Sequence, residues 1–280
     1  MSLIEAIILG LIQGLTEFIP ISSTAHLTLA GKLMGLIDPN NPEKWTAFMA
    51  IIQLGTIVAV MFYFRNEIFD ITRDFLKENI SKRTKFKEQS LNSRLGWYVI
   101  LGSIPIVAIG LLIKKVIEGN ITKDPLVIAI SMITLAVILY FAEKKGNFTK
   151  DEEHISLKDA VLIGIAQCFA LFPGASRSGT TITAGLFLGL KRDSAAKFSF
   201  LLSIPAILGS GLLEFKSSIS YLTPDEFLTL GIATLVSGIS GYLSIAFLLK
   251  FLKNNTTILF INYRIIVGLI LLILIFNNII

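Results

Sequence analysis

The stretch GLIQGLTEFIPISSTAH, residues 10–26, decides the fold of this chain, because it begins as an apolar helix and then breaks at a proline. Pro20 fixes its own φ angle and disfavours helical backbone at the preceding residue. Hydroxyl side chains follow at residues 22–24, where they can cap a second short helix. Two half-length helices around a polar break predict a re-entrant hairpin, which a membrane tolerates where protein or a water-filled cavity surrounds the irregular backbone. One kinked span over residues 3–30 is the alternative.

A second copy of this outline, GIAQCFALFPGASRSGT, occurs at residues 164–180 and is broken at a proline–glycine pair. A shift of 154 residues aligns Gly10 with Gly164 and Ser22 with Ser176. With three spans after each hairpin, the two copies enter the membrane from opposite sides, which is an inverted-topology repeat. The two breaks are then expected to meet near the midplane.

The composition is typical of a membrane protein. Mean hydropathy is +0.73 and only 16% of the residues are charged, against about 25% in soluble domains. Lys and Arg in cytoplasmic loops explain the net charge of +5, so we expect no nucleic acid partner. The single cysteine, Cys168, excludes an intrachain disulfide. The N-terminus lacks the basic region of a cleavable signal, and we expect it in the mature protein.

We therefore predict an all-α polytopic membrane protein with six transmembrane helices and two re-entrant helix hairpins in an inverted-topology repeat. The spans are predicted at residues 46–64, 96–114, 124–142, 194–214, 225–249 and 258–279, each long enough to cross about 30 Å of hydrocarbon. One integral membrane domain covers residues 1–280, with repeat 1 at about 1–116, repeat 2 at about 155–280 and a connecting helix and loop at 117–154. The charged loop 65–95 is predicted to be a membrane-surface linker that begins with an amphipathic helix.

The positive charges orient this arrangement. With both hairpins re-entrant, 18 of the 25 Lys and Arg residues fall on one side, Arg264 among them, and 6 fall on the other. The richer side is expected to be cytoplasmic, so both termini and the entrance to the first hairpin face the extracytoplasmic side. If both interrupted segments spanned instead, the clusters at 190–197 and 250–264 would move to the opposite side.

Ionisable side chains within a bilayer are costly and usually functional. Glu17 lies four residues after Gln13, so both side chains project from one face of the first half-helix. A carboxylate with an amide oxygen suits a hard divalent cation, Mg²⁺ or Ca²⁺. The alternative is a structural hydrogen bond that closes the hairpin.

Two further ionisable residues follow the breaks. His26 is suited to general acid–base chemistry and lies one helical turn after Ser23. Arg177 is flanked by Ser176 and Ser178 at the expected N-terminus of a half-helix, an arrangement that binds anions and above all phosphate. An ion pair between this arginine and the carboxylate of the first hairpin is the alternative, and it is compatible with such a site before a ligand binds.

Together these residues supply the parts of a phosphoryl-transfer site. Ser22, Ser23 and Thr24 offer hydroxyl nucleophiles, and the other side chains offer a base, a cation holder and an arginine clamp. Because the chain faces lipid, the substrate is expected to carry a long apolar tail and a phosphorylated head.

A resemblance to a known family rests on two segments, QGLTEFIPISSTAH (13–26) and PGASRSGTT (173–181). They are similar to the two signature motifs of the bacterial undecaprenyl-pyrophosphate phosphatase family, which is associated with bacitracin resistance. The segments IIQLGTIVAV (51–60) and FSFLLSIPA (198–206) extend the resemblance over essentially the whole chain. It implies removal of the terminal phosphate from undecaprenyl pyrophosphate in the bacterial inner membrane, which recycles the lipid carrier of peptidoglycan synthesis. The residues that match functional positions of the family are Glu17, Ser22, Ser23, Thr24, His26, Ser176, Arg177 and Ser178.

The residues and the resemblance together give a mechanistic hypothesis. Ser23, assisted by His26, attacks the distal phosphorus, while Arg177 holds the pyrophosphate; alternatively, water attacks directly and the serine only orients the phosphate. The predicted phosphate-binding residues are Ser22, Thr24, Ser176, Ser178 and Gln13, and the predicted ligands of the divalent cation are Glu17 and Gln13. A glutamine at position 13 in place of a second glutamate weakens a metal site built on two carboxylates.

Two matters stay open at this stage. A lipid-carrier flippase or transporter is the rival function, since inverted repeats with broken helices are typical of transporters. The sequence also leaves open whether the protein forms a homodimer.

Overall fold

The computed structural model describes residues 1–219 and 222–277, and it is built of α-helices. Within these ranges no β-strand forms, and a single isolated bridge joins Lys150 and Leu190. The helices are α1 (Leu3–Glu17), α2 (Ser23–Leu33), α3 (Pro42–Tyr63), α4 (Arg65–Leu76), α5 (Leu91–Leu112), α6 (Lys114–Glu118), α7 (Pro125–Lys145), α8 (Leu157–Gln167), α9 (Arg177–Phe187), α10 (Arg192–Ser218), α11 (Pro224–Asn254) and α12 (Ile258–Phe276).

Six of these helices are long and apolar enough to cross a membrane: α3, α5, α7, α10, α11 and α12, with mean hydropathies of 1.7 to 2.7. Each coincides with one predicted span, so the all-α fold with six transmembrane helices is confirmed. Helix ends differ from the predicted ones because capping decides them rather than hydropathy; α11 begins behind a capping box of Thr223 and Glu226. Residues 278–279 of the last predicted span lie outside the described residues.

The first interrupted segment folds back on itself. The helices α1 and α2 contact each other, and Leu9 of α1 shares a hydrophobic cluster with Leu27 of α2. At about 1.5 Å per residue they are about 22 and 16 Å long, so neither crosses about 30 Å of hydrocarbon. The re-entrant hairpin therefore stays a prediction, as does its alternative, one kinked span over residues 3–30.

The second interrupted segment forms a similar pair from α8 and α9, and the two halves pack on each other reciprocally. Helix α1 packs on α11 of the second half, and α8 packs on α5 of the first. The aligned glycines make both close approaches: a Cβ on Gly10 would lie 2.5 Å from the carbonyl oxygen of Ala233, and one on Gly164 would lie 2.1 Å from that of Gly102. This exchange is what an inverted repeat predicts, although the boundaries of the two repeats stay a prediction.

The structure corrects the side of the membrane to which the charge count assigned one residue. Arg264 lies inside α12 and is fully buried, so it does not belong to the cytoplasmic set. Its guanidinium is satisfied by backbone carbonyls, and it therefore has no need to reach water. Removing one residue from the larger set leaves the asymmetry in place.

Candidate active site

Both breaks contain the same unusual backbone conformation. Ser22 and Ser176, which the repeat aligns, have φ angles of 76° and 71°, a region that residues other than Gly rarely adopt. Each serine also caps the following helix, since its hydroxyl accepts a hydrogen bond from a backbone N–H three residues later. Strained backbone of this kind persists where the surrounding structure holds it, often at functional sites. The two turns place Ser23 and Arg177 at the first positions of α2 and α9.

Glu17, the last residue of α1, is the centre of the site. Its Oε1 accepts a hydrogen bond from Arg177 Nη2 at 3.0 Å, in an ion pair whose acidic and basic side chains are 4% and 10% exposed. Its Oε2 accepts from Ser23 Oγ at 2.6 Å and from Gln13 Nε2 at 2.9 Å. The structure thus joins a carboxylate, a hydroxyl, an amide and a guanidinium from the two hairpins. The ion pair and the hairpin hydrogen bond, both stated above as alternatives, are present.

The two aligned glutamines are both incompletely bonded. Gln13 Oε1 is buried without a hydrogen-bond partner among the described residues, and the same holds for both amide atoms of Gln167. A buried polar group without a partner is costly. Gln13 therefore keeps a free acceptor close to the carboxylate of Glu17.

The predicted serine and threonine ligands divide into two groups. Ser23, Thr24 and Ser176 line a cavity. Ser178 is fully buried, and its hydroxyl donates to the carbonyl oxygens of residues 17 and 19 at 3.3 and 3.2 Å, so it fastens the two hairpins together. Ser22 is also buried and acts as the helix cap described above.

His26, in α2, follows the hydroxyl residues 22–24, but its imidazole does not bond to their hydroxyl groups. Its Nδ1 is 2.7 Å from the carbonyl oxygen of Ser22, and its Nε2 is 2.7 Å from the hydroxyl of Tyr263, on which the imidazole also stacks. In the part of the chain that the structure describes, no hydrogen bond joins His26 to Ser23. Assistance of Ser23 by His26 thus stays a prediction, and Tyr263 is a partner that sequence reasoning missed.

Arg264 is a second residue that sequence reasoning missed. Its guanidinium donates to the carbonyl oxygens of Pro20 in the first break, of Gly174 and Ala175 in the second, and of Met132 in α7. One buried side chain of α12 thus holds both breaks. A signal was available, because it is the one Lys or Arg within an apolar helix of mean hydropathy 2.7.

A cavity of about 470 Å³ opens onto the polar residues. Its polar lining includes Glu17, Ser23, Thr24, Gln53, Ser176 and Arg177, and its apolar wall includes Ile106, Val107, Leu171, Ile207 and Leu213. It also reaches Lys114 and Glu118, which lie beyond the end of α5, and Glu214, which pairs with Lys114 at 3.0 Å. The cavity therefore joins a buried ionic site to one end of the spanning helices along an apolar path.

The chain is similar to known proteins over nearly its whole length. Residues 6–270 match the family described as bacitracin resistance protein BacA. The chain is 55% identical to an undecaprenyl-diphosphatase of Syntrophobacter fumaroxidans, with 99% of each chain covered. It is 46% identical to the undecaprenyl-diphosphatase of Myxococcus xanthus, covering 98% of this chain and 89% of that one. For the undecaprenyl-diphosphatase of Chloroherpeton thalassium the identity is 48%, over 97% of this chain and 96% of the relative.

Proposed function

This chain belongs to the bacitracin resistance protein BacA family, and from that premise we propose that it hydrolyses undecaprenyl diphosphate to undecaprenyl phosphate and inorganic phosphate. The observation that carries the proposal is the contact of Glu17 with Ser23 and Arg177 on an apolar cavity. The six apolar helices make the protein a multi-pass membrane protein, so a lipid substrate reaches the cavity without leaving the bilayer. A volume of about 470 Å³ suits the head and the first part of the tail, and the remaining tail lies among lipids.

Arg177 is placed to bind the pyrophosphate. Nη2 donates to Glu17 and Nη1 to the carbonyl oxygen of Ser199 at 3.4 Å, while Nε is buried and has no partner in the described ranges. Arginine offers a planar fork of donors that matches phosphate oxygens. Phosphate binding at the start of α9 is also favoured by the free N–H groups of a helix N-terminus. The substrate therefore meets the guanidinium on the cavity side of the ion pair.

Ser23 is the proposed nucleophile and Glu17 its base. The hydroxyl already donates to the carboxylate at 2.6 Å, which is the geometry that proton abstraction needs. Attack of Oγ on the distal phosphorus forms a phosphoserine and breaks the bond to the bridging oxygen, and the serine proton passes through Glu17 to the departing undecaprenyl phosphate. Water then hydrolyses the phosphoserine, releases inorganic phosphate and restores the serine. In the alternative, water attacks the phosphorus directly while Ser23 orients the phosphate.

A divalent cation fits the residues only together with the substrate. Glu17 supplies the one carboxylate and Gln13 Oε1 a free buried acceptor, and no cluster of three or more His, Cys, Asp or Glu side chains occurs among the described residues. Mg²⁺ commonly uses one or two carboxylates and completes its shell with phosphate oxygens and water. Glu17 and Gln13 would therefore hold Mg²⁺ or Ca²⁺ with the pyrophosphate. Such an ion would neutralise charge on the phosphate groups.

We place the opening of the site on the extracytoplasmic side of the bacterial inner membrane. The cavity reaches Lys114 and Glu118, which follow α5 at the end where the loops carry few Lys and Arg residues. The opposite ends of the spans carry most of the basic residues and are expected in the cytoplasm.

Phosphate release by the purified chain in detergent tests the proposal. We expect Glu17→Gln, Ser23→Ala and Arg177→Ala each to lower kcat by about 10²-fold or more, because each removes an interaction with the reacting phosphate. Glu67→Gln and Ser217→Ala, on exposed side chains, serve as matched controls. Wild-type activity in Glu17→Gln and Arg177→Ala would refute the site. A phosphoserine trapped at position 23 supports the covalent route, and full activity of Ser23→Ala would exclude it.

A further inference from the structure

The segment from α4 to residue 87 carries an apolar surface that faces away from the protein. Phe69, Leu76 and Ile80 are 65%, 47% and 68% exposed. Phe69 and Leu76 are seven residues apart in α4, and Ile80 lies four residues further on, in the π-helical turn Lys77–Ser81 that continues the helix. This spacing places all three on one side. The opposite side of the same helix packs inward through Ile68, Ile71 and Phe75.

A basic run follows this apolar stripe. Lys82, Arg83, Lys85 and Lys87 are all exposed, and none of them has a salt-bridge partner in the part of the chain that the structure describes. Phe86 lies between them and is 38% exposed. The run therefore presents four free positive charges and an aromatic ring on one short segment.

Several acidic residues of the same loop are engaged with neighbouring groups. Asp74 is bonded to Arg73 and Asn92, and the carboxylate of Glu78 accepts from a backbone N–H at 2.9 Å. They do not neutralise the basic run. The exposed Glu88 at its end lowers the net charge of residues 82–88 from +4 to +3.

Side-chain hydrogen bonds also hold this loop in one conformation. Asn79 Oδ1 accepts from Gln89 Nε2 at 2.8 Å and from Trp97 Nε1 at 3.0 Å, and Asn79 Nδ2 donates to Ser93 Oγ at 3.1 Å. These bonds fasten residues 77–90 to the first turns of α5. Because α4 follows the end of α3 after a single residue, the stripe and the basic run lie where two spans leave the membrane.

We propose that residues 65–87 form a binding surface for acidic phospholipids of the surrounding bilayer. The exposed apolar stripe enters the interface between headgroups and acyl chains, and the four free cations contact anionic headgroups. This combination is the one by which amphipathic helices and basic segments beside a span bind anionic membranes. An acidic protein would satisfy the charges, but it would not account for an exposed stripe on a helix directly beside a membrane span.

The test measures how phosphatidylglycerol stabilises the full chain in neutral detergent, by thermal unfolding at increasing lipid concentration. The quadruple variant Lys82→Gln, Arg83→Gln, Lys85→Gln, Lys87→Gln is compared with the control Lys145→Gln, Lys158→Gln, Lys250→Gln, Lys253→Gln. The control removes the same charge from exposed residues elsewhere. We expect the loop variant to bind phosphatidylglycerol about tenfold more weakly or worse, since basic residues near a membrane surface attract anionic headgroups. Wild type and control should respond alike, and less strongly at high salt.

The proposal is overturned if the loop variant responds to phosphatidylglycerol as wild type does, or if phosphatidylcholine stabilises all forms equally well. Phosphate release in plain detergent checks that the variant is folded, because none of the changed residues contacts the catalytic cavity. Should the quadruple variant fail to fold, Phe69→Ser with Ile80→Ser replaces it. Loss of the response in that double variant supports the surface, and an unchanged response refutes it.

Discussion

Ser23 and Arg177 occupy the same position in the two halves of the chain, because the shift of 154 residues carries one onto the other. Each is the first residue of a half-helix and follows a serine with positive φ. One backbone position therefore supplies the hydroxyl in the first half and the guanidinium in the second. The fold of the site is nearly symmetric, and two side chains make its chemistry asymmetric.

The planar geometry of the Arg177 guanidinium is expected to contribute to catalysis in addition to its charge. In Arg177→Lys the charge stays, but the ammonium cannot bond to Glu17 and to phosphate oxygens with the same planar geometry. We expect kcat/KM for phosphate release to fall by about 10²-fold. Arg73→Lys, on an exposed arginine paired with Asp74, is the matched control and should be unchanged. Activity within about threefold of wild type in Arg177→Lys would contradict bidentate binding.

The buried Lys123 is expected to make the free energy of unfolding depend on pH. It is 2% exposed, and its Nζ donates to the carbonyl oxygens of Ile117, Glu118 and Gly119. Burial lowers the pKa of Lys123 from 10.5 to about 8, despite the nearby Glu118 and Glu43 carboxylates. Between these two pH values the unfolded chain binds the additional proton, so folding stability rises with pH.

The comparison with Lys123→Met isolates this contribution from the other titrating groups. The melting temperature of wild type relative to the variant should increase from pH 7.5 to pH 10. A difference that stays constant or falls over that range would show that the pKa of Lys123 is not lowered.

The close approach of α8 to α5 is expected to tolerate no side chain. In Gly164→Ala the new Cβ would lie 2.1 Å from the carbonyl oxygen of Gly102, and forcing the helices apart costs about 1–3 kcal/mol. The melting temperature should therefore fall. Gly209→Ala in α10 is the matched control, because no atom outside its own stretch of helix backbone lies within 4 Å of the added Cβ. There the better helix propensity of Ala should leave the melting temperature unchanged or raise it. Equal effects at both glycines would argue against this helix contact.

The elements of the fold were predictable where one segment decides them. Length and hydropathy alone predicted the six spans, and the proline breaks predicted the two helix pairs. Within the site, the same reasoning predicted the residues of the ionic group around Glu17, because buried charges in an apolar chain require partners. It did not predict the contact of His26 with Tyr263 or the carbonyl bonds of Arg264. These contacts join residues 89 to 244 positions apart, and no periodic pattern records such contacts.

The orientation of the whole molecule can be tested by cysteine labelling, since the chain has the single cysteine Cys168. In a Cys168→Ser background, Lys115→Cys should react with a membrane-impermeant maleimide in intact cells. Lys87→Cys and Lys253→Cys should react only after permeabilisation. All three lysines are exposed. Labelling of Lys253→Cys from outside, with Lys87→Cys protected, would mean that the interrupted segments span the membrane and are not re-entrant.

The bonds of Arg264 also have a consequence for the order in which a newly made chain assembles its active site. The carbonyl group of Pro20 is synthesised early, but the Arg264 guanidinium that donates to it follows 244 residues later in the last helix. Helix α1 likewise packs on α11, which is synthesised much later. We therefore expect truncated chains that end before α12 to lose activity, because no Arg264 side chain then bonds to the carbonyls of both breaks. On this expectation, a newly made chain becomes active only after α12 has been translated and inserted.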